Sequence, residues 1–488
     1  MNAWLPVLTL ATSLLPALII FRLPDHRARA RTLVNLAGAV GKLALVAVML
    51  NGVAAGEVYE TRWALAPGLD ILLRVDALCL LFLTLSAFLW LLTTIYAIGY
   101  FGDAPNQSRF FGFFSLCVAA TTGVALSGTL ITFFLFYEFL TLSTWPLVTH
   151  KGDAKSIAAG RKYLAYTLAG SAALLIGMVW LESMAGPVEF AVPDSLLQLP
   201  SLPLVIIFAL LIGGLGVKSA LVPLHGWLPA AMVAPAPVSA LLHAVAVVKA
   251  GAFGIVRIVY DVYGFDLVQS LGVHLPLAAV ASATIIYGSV RALFQNDLKR
   301  RLAFSTVSQV SYIVLGTALA GPVATVGGLV HLVHQGLMKI TLFFCAGALA
   351  ERIGVTRVDQ FDGIGRAMPV TMTAFTIGAL GMVGVPPVAG FVSKWQLGLG
   401  GLDAGQPWVL FVLATSSLLN AAYFLPLVYR AWFVPPVAAA PRGREHGLML
   451  IWPAAVTATV ALGAGLFAGF AFSPLSWAQL IMQRFYGS

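Results

Sequence analysis

Long apolar stretches separated by short polar segments run along almost the whole of this chain of 488 residues. About fourteen of them are long enough to cross a hydrocarbon core about 30 Å thick, which takes about 20 residues of helix. We therefore expect an all-α polytopic membrane protein. The predicted spans cover residues 3–21, 33–50, 77–99, 110–127, 129–148, 162–182, 203–222, 236–260, 275–294, 302–320, 323–349, 370–398, 408–433 and 450–470.

The segment between the second and third spans has a different pattern. Residues 54–75, AAGEVYETRWALAPGLDILLRV, mix polar and β-favouring residues around a Pro-Gly turn, a combination typical of a hairpin. We expect a short β-hairpin on the outer face of the membrane. The C-terminal tail is expected to lie along the same interface, with Trp477 and Tyr486 as aromatic anchors.

Helix-breaking residues interrupt the seventh and twelfth spans. These spans read GGLGVKSALVPLHGW and GALGMVGVPPVAGFVSKW, so each combines glycines and prolines with one lysine, Lys218 or Lys394. Since the two are five spans apart, spans 4–8 and 9–13 would form two inverted five-helix repeats, and such matching interruptions indicate an ion site. The expected division is residues 1–109 for the first three helices and the hairpin, 110–260 and 261–433 for the repeats, and 434–488 for the last helix and tail.

Composition and charge agree with a membrane protein. The chain is 60% hydrophobic and 10% charged, whereas soluble domains are about a quarter charged. The net charge of +9 does not indicate a nucleic-acid ligand, because with alternating spans nineteen basic residues fall on one side of the membrane. The positive-inside rule then places both termini on the outer side of a cell inner membrane. The four basic residues on that outer side are Arg62, Arg74, Arg257 and Arg484.

The cysteines do not indicate a metal or redox centre. Cys79, Cys117 and Cys345 stand singly in apolar stretches, without the spacing of a zinc site or an iron–sulphur cluster. The segments GAVGKL and GVKS lack the full spacing of a phosphate-binding loop. We expect no cofactor and no bound metal, and no electron transfer by this chain itself.

Ionisable residues inside the predicted spans are the main functional signal. A charge at the bilayer centre costs about 2.5–3.5 kcal/mol on insertion scales. Such residues persist where they face a hydrated protein interior and move protons or ions. Here they are Glu138, Lys42, Lys218, Lys249, Lys339 and Lys394.

Glu138 is the one acid placed well inside the spans, and Lys218 is its candidate partner. A nearby ammonium favours the ionised carboxylate, so approach or withdrawal of Glu138 would let Lys218 hold or release its proton. The alternative is a static buried ion pair that fixes helix packing.

The remaining path candidates lie on the eighth and eleventh spans. His243 precedes Lys249 by six residues, about 1.7 helical turns, so neighbouring helices or water would have to join them, unless His243 is a hydrogen-bonded core residue. His331 and His334 share one helix face, and Lys339 follows on the same span. A metal site there would need further ligands. We expect instead a hydrated histidine–lysine relay towards the twelfth span.

Lys42 has no other ionisable residue near it in its span, LVNLAGAVGKLALVAVML. We expect its ammonium either to snorkel to the membrane surface or to contact a partner protein of the same complex.

Several motifs, in order along nearly the whole chain, resemble one known family. FFLFYEFLTLSTWPLV, VKSALVPLHGWLPAAMVAPAPVSALLHAVAVVKAG, NDLKRRLAFSTVSQ, HLVHQGLMKITLFFCAG and GVPPVAGFVSKW resemble the antiporter-like subunits of Mrp-type cation/proton antiporters, respiratory complex I and membrane-bound hydrogenases. The resemblance implies fourteen helices, two inverted repeats with broken seventh and twelfth helices, and a proton path. The path residues that it implies are Glu138, Lys218, Lys249 and Lys394.

The resemblance also bears on one loop residue, on one departure from the family pattern and on the type of subunit. Lys299, in the stretch before the tenth helix, is expected to fix a loop rather than to conduct. Ala230 departs from the family pattern, because the WLP motif there often continues with an acid. The chain length and Lys394 suit a protein similar to the D-type component of Mrp antiporters.

We therefore expect a proton-translocating subunit of an Mrp-type monovalent cation/proton antiporter, with sodium or another cation moving in the opposite direction. Its partners would be other membrane subunits of a hetero-oligomeric complex. Three alternatives stay open: a proton-pumping subunit of a complex I-like NADH:quinone oxidoreductase or membrane-bound hydrogenase, ion-coupled uptake of a small solute or of inorganic carbon, and a non-conducting scaffold.

Overall fold

The structure is a computed structural model that describes residues 2–66, 68–191, 194–436, 445 and 447–486. It is an all-α membrane fold with one small hairpin. The main helices are α1 Leu5–Arg22, α2 Ala28–Ala54, α3 Ala77–Phe101, α4 Gln107–Leu126, α5 Leu130–Val148, α6 Ala154–Ala185, α7 Ser201–Lys218, α8 Ala236–Val262, α9 His274–Leu293, α10 Leu298–Ala318, α11 Pro322–Ile353, α12a Pro369–Val383, α12b Ala389–Asp403, α13 Trp408–Phe433, α14 Leu448–Leu466 and α15 Pro474–Tyr486.

Helices α8 and α11 form the centre of the bundle. The most apolar window of α8 is 100% buried and that of α11 is 94% buried, whereas α1, α2, α6, α13 and α14 bury only 33–39%. The outer helices expose large apolar side chains such as Leu33 and Phe411. Because exposed apolar surface of this extent is stable in lipid and not in water, the outer helices are the lipid-facing or subunit-facing layer.

Twelve helices of the described chain are long and apolar enough to cross a membrane. The other two predicted spans differ for physical reasons. Helix α10 is almost entirely buried but carries many polar side chains, and the twelfth span consists of two pieces of 15 residues each. The total of fourteen crossings stays a prediction.

Both predicted interruptions are present. Helix α7 ends at Lys218, and turns lead to the short helical segment Trp227–Ala230. Helix α12a ends at Val383, and the next residue, Gly384, has a left-handed φ of 94° that suits a glycine C-cap. Helix α8 contains two π-helical turns, Leu241–Val245 and Ile258–Val262, and such turns inside α-helices are frequent at functional sites.

The predicted hairpin is confirmed as two antiparallel strands, β1 Tyr59–Ala66 and β2 Leu69–Val75. Single bridges join Leu73 to Ser127, and Thr129 to Glu189. The segments that follow α2, α4 and α6 therefore meet at one end of the bundle. We call this end the hairpin face.

The tail also lies at the hairpin face, but it is not anchored as expected. Trp477 is 5% exposed, and its indole N–H donates to the Ala77 carbonyl oxygen at 2.8 Å. The expected interfacial anchor is therefore wrong for Trp477, because the indole packs into the protein. The side chain of Tyr486, and two of the nineteen basic residues on one predicted side, Arg442 and Arg444, lie outside the described residues.

The break in helix 12 depends on a close approach between its two halves at Gly390. A methyl group there would meet the carbonyl oxygen of Gly381 in α12a. We expect Gly390→Ala to destabilise the fold by about 1–3 kcal/mol, the usual cost of overpacking, and to lower the melting temperature in detergent. Gly213→Ala on α7 is the matched control, because a methyl group there has open space. An unchanged melting temperature for Gly390→Ala would contradict the close approach.

Candidate functional site: a buried lysine row

All five intramembrane lysines are buried inside the chain. Lys42, Lys249 and Lys339 are 0% exposed, Lys218 is 1% and Lys394 is 9%. No carboxylate of a described residue lies within 4.0 Å of any of these ammonium groups. The protein therefore satisfies these ammonium groups with neutral dipoles instead of opposite charges.

Glu138 and Lys218 lie close together on α5 and α7 without forming a direct ion pair. The carboxylate of Glu138 accepts a hydrogen bond from the hydroxyl of Ser171 on α6. The ammonium of Lys218 donates to the backbone carbonyl of Tyr137 and lies 3.2 Å from the centroid of that ring. The phenol of Tyr137 in turn donates to the Gly214 carbonyl at 3.3 Å. The structure thus shows Glu138 and Lys218 with separate hydrogen-bond partners and without a direct ion pair.

Lys249 lies at the middle of α8, just beyond the first π-helical turn. Its ammonium donates to the carbonyl oxygen of Leu332 on α11 at 2.7 Å. Leu332 stands between His331 and His334 in the sequence. This contact places Lys249 against the segment of α11 that carries both histidines.

The two histidines of α11 face the second half of helix 12. His331 Nδ1 lies 2.8 Å from the hydroxyl of Ser393, and its Nε2 lies 3.1 Å from the carbonyl oxygen of Gln309 on α10. His334 approaches the backbone of Ala389 at the start of α12b, but neither ring nitrogen reaches hydrogen-bond geometry. Since Ser393 precedes Lys394, α11 connects the surroundings of Lys249 with those of Lys394.

Lys394 closes the break in helix 12. Its ammonium donates to the carbonyl oxygens of Met382 at 3.0 Å and Val383 at 2.8 Å, and to the hydroxyl of Ser417 at 2.9 Å. The last carbonyls of a helix have no partner within the helix, and they carry the negative end of its dipole. Lys394 on α12b therefore caps α12a and joins both halves to α13.

His243 and Lys339 lie towards the end of the bundle opposite the hairpin face, and Lys339 is close enough to Lys249 to interact with it electrostatically. The ring of His243 packs against Phe343 at a centroid distance of 4.6 Å, and Lys339 is close enough to interact electrostatically with it. The ammonium of Lys339 donates to the Ser305 hydroxyl at 2.8 Å, and the phenol of Tyr423 donates to that same hydroxyl at 2.9 Å. These residues form a polar branch rather than part of the line from Lys249 to Lys394.

Several buried polar atoms along the row and branch have no hydrogen-bond partner among the described residues. They occur on α8, α10, α11 and α13. They are both ring nitrogens of His243, both ring nitrogens of His334, the side-chain amides of Gln309 and Gln335, and the amide nitrogen of Asn420. Because buried polar groups in folded proteins are hydrogen-bonded to protein or to water, this zone is chemically suited to ordered water.

The prediction for Lys42 is wrong. Its side chain neither snorkels nor reaches a surface where a partner could bind. The ammonium donates to the hydroxyls of Ser13 at 2.9 Å and Thr122 at 2.6 Å, and it lies 4.8 Å from the ring centroid of Trp90. Two hydroxyls and an aromatic face from three neighbouring helices satisfy this cation inside the chain.

Lys299 occupies the position that a loop-fixing residue would have. Its ammonium donates to the carbonyl oxygen of Ala234 at 2.6 Å, so it joins the start of α10 to the segment before α8. Sequence reasoning did not find the neutral partners Ser171, Ser393 and Ser417. The sequence does carry a signal for polar groups near the row in another helix, α10. The polar stretch STVSQVSY interrupts the apolar pattern there because this helix faces the row.

Comparisons with known proteins identify a family for this chain. A family model described as "NADH:quinone oxidoreductase/Mrp antiporter, TM" matches residues 127–420. The chain belongs to this family. A second model, "NADH-Ubiquinone oxidoreductase (complex I), chain 5 N-terminus", matches residues 65–111 of this antiporter-family chain.

Individual relatives fall in more than one branch of the NADH:quinone oxidoreductase/Mrp antiporter family. The chain is 38% identical to NADH-quinone oxidoreductase subunit N of Desulforudis audaxviator, over 81% of this chain and 78% of that protein. It is 31% identical to the A/B component of a probable K(+)/H(+) antiporter of Rhizobium meliloti, over 82% of this chain but only 41% of that longer protein. Its fold matches a chain in the structure of the Mrp complex from Dietzia with a TM-score of 0.87 and 27% identity, covering 99% of this chain and 97% of that one.

Lys394 and Lys42 have different hydrogen-bond partners, so replacing each of them by methionine is expected to change the stability of the fold by different amounts. Lys394→Met leaves the carbonyls of Met382 and Val383 uncapped, which costs about 1–3 kcal/mol per buried unsatisfied group. We expect a lower melting temperature in detergent. Lys42→Met is the matched control, since Ser13 and Thr122 also donate to carbonyls of their own helices. Equal melting temperatures for the two variants would contradict the capping role of Lys394.

Proposed function

We propose that this chain translocates protons as a membrane subunit of an Mrp-type monovalent cation/proton antiporter. The observation that carries the proposal is the row of buried ammonium groups, each held by neutral dipoles, which begins beside Glu138 and ends at Lys394. A carbonyl or hydroxyl oxygen accepts a hydrogen bond from an ammonium or from a neutral amine, so a lysine held in this way keeps its position when it loses a proton.

Protons would move between Glu138, Lys218, Lys249, the histidines of α11 and Lys394, with water joining the side chains. The unpartnered polar atoms of Gln309, His334 and Gln335 supply positions for that water. His243 and Lys339 would connect the row to the end opposite the hairpin face. The driving force would be a counter-moving cation such as sodium, or the membrane potential at about 2.3 kcal/mol per charge per 100 mV.

The proposed setting is the inner cell membrane, with the hairpin face and both termini on the outer side. The positive-inside bias of the loops supports this orientation. The proposed partners are other membrane subunits, since the matched Dietzia chain is part of an Mrp complex. Burial of Lys42 within the chain means that this lysine does not supply a contact to them.

A complex I-like role is the second candidate, because the chain is 38% identical to an NADH-quinone oxidoreductase subunit N. The row would work in the same way, but electron transfer in partner subunits would supply the energy. Ion-coupled solute uptake and a scaffold role gain no support from a specific contact in the site.

The proton path predicts which charged residues are essential for transport. We expect Glu138→Gln and Lys249→Met each to lower the rate of proton transport about a hundredfold or more in vesicles that contain the purified complex. Each substitution removes one positioned proton-transfer group. Lys42→Met is expected to transport normally, since its partners lie outside the row. Normal transport by Glu138→Gln would reject the path, and a scaffold would be favoured if Lys249→Met were also normal.

Partner subunits decide between the two energy sources. We expect mass spectrometry of the complex, purified from its native membrane in mild detergent, to find small hydrophobic antiporter subunits. Recovery of iron–sulphur or nickel–iron proteins at equal stoichiometry would instead support the redox-driven role. Sodium-dependent proton exchange in vesicles is the activity expected in the first case.

A further inference from the structure

A second group of buried charges lies outside the lysine row, at the hairpin-face end of α8. The guanidinium of Arg257 binds both oxygens of Asp76 at 2.7 and 2.9 Å, and one oxygen of Asp261 at 2.6 Å. The side chains of Arg257 and Asp261 are only 2% and 8% exposed, whereas Asp76 is 31% exposed. We call these three residues the Asp–Arg–Asp cluster.

The charges of this cluster do not balance. Two carboxylates share one guanidinium, so the cluster carries a net charge of −1 when both acids are ionised. A buried uncompensated charge is costly, and carboxylates that share one site do not ionise equally. One proton would neutralise the cluster. The guanidinium lies between the two acids, where it would repel a metal cation, so a proton is the favoured ligand.

The neighbouring charges do not remove this imbalance. Arg74 on β2 is near both acids, but it forms ion pairs with Glu60 at 3.0 Å and Glu189 at 2.8 Å. On α3, the backbone N–H of Cys79 donates to Asp76 at 2.6 Å, as expected of a helix N-cap. The rings of Phe190 and Phe253 cover the guanidinium at 5.4 and 5.1 Å. Hence aromatic rings cover the guanidinium, whereas the carboxylate of Asp76 is partly exposed.

A small cavity lies between Arg257 and Gly254 on α8 and Leu215 on α7. Its volume of about 10 Å³ is about the minimum for one water molecule. The lining is apolar except for Arg257, whose Nε–H has no hydrogen-bond partner among the described residues. Arg257 is therefore the group that a water molecule there would contact, and Leu215 lies one turn from Lys218 on α7.

We propose that the Asp–Arg–Asp cluster is a proton-exchange site between the lysine row and the water at the hairpin face. Asp261, the more buried acid, takes the proton, and Asp76 opens the cluster to solvent. The step moves only a proton. A hydronium ion transfers H⁺ to the Asp261 carboxylate and leaves a water molecule. The carboxylate becomes a neutral carboxylic acid, and no electron moves. Arg257 is a positioning residue that holds the two acids together. This inference rests on the proposed function of the row.

The test measures proton transport by the purified complex in vesicles, across a pH series. We expect Asp261→Asn, which keeps the shape but cannot exchange a proton, to lower the rate about a hundredfold, the size of one lost proton-transfer group. Asp261→Glu is expected to restore transport with an altered pH profile. Asp70→Asn is the control, because it changes a carboxylate of the hairpin face that pairs with Arg62 and not with the cluster or with Arg74.

Comparison with Glu138→Gln separates this proposal from the function it rests on. If Glu138→Gln is inactive while Asp261→Asn keeps the wild-type rate and pH profile, the cluster is not an exchange site. If both variants transport normally, the proton path itself is rejected. Should Asp261→Asn fail to assemble, infrared difference spectra of the wild-type complex and Asp261→Glu at two pH values decide. A carboxylic-acid band that appears with acidification and shifts in Asp261→Glu supports the site, and a spectrum without such a band overturns it.

Discussion

The constraint on which the site depends is that an ammonium buried in a membrane protein must have hydrogen-bond acceptors. A full counter-charge would hold the proton firmly in place, whereas an unsatisfied ammonium would destabilise the fold. The protein adopts a third solution. Lys218, Lys249 and Lys394 each donate to a backbone carbonyl of another helix or helix segment. A carbonyl is polar enough to accept the ammonium, and it carries no charge that must be neutralised when the proton leaves.

This solution explains the break in helix 12. In a regular helix each carbonyl is already bonded within the helix, so Tyr137 and Leu332 accept a lysine as a second partner. The carbonyls without a partner lie at helix ends. The break between α12a and α12b exposes the carbonyls of Met382 and Val383 at membrane depth, and Lys394 uses both. On α10, the hydroxyl of Ser305 accepts a hydrogen bond from Lys339, and the backbone carbonyl of Gln309 lies 3.1 Å from Nε2 of His331. Among the outer helices, α2 carries one such charge, and the hydroxyls of Ser13 and Thr122 accept hydrogen bonds from Lys42 there.

The sequence predicts the elements better than their contacts. Local backbone preferences are visible in the runs of apolar residues, in the Pro-Gly turn and in the glycines before Lys394. The helices, the hairpin and the breaks were therefore predictable. Lys42 was misjudged because its partners Ser13 and Thr122 are 29 and 80 residues away in sequence, and hydroxyls on apolar helices give no local signal. The cluster of Asp76, Arg257 and Asp261 was missed for a similar reason: Asp76 and Arg257 are 181 residues apart and look like ordinary residues at helix ends.

The two broken helices hold their lysines in different ways, and this difference bears on how the row could respond to a change of state. Lys218 belongs to the first segment of its helix and reaches across to α5, so its environment depends on how α5 and α7 are placed relative to each other. Lys394 belongs to the second segment and turns back to cap the first, so its environment depends on the geometry of the break itself. A movement between helices would therefore alter one end of the row, and a local change in backbone would alter the other. Because Lys249 binds α11, which also carries His331 beside Ser393, α11 is the element that links Lys249 in the middle of the row to the end at Lys394.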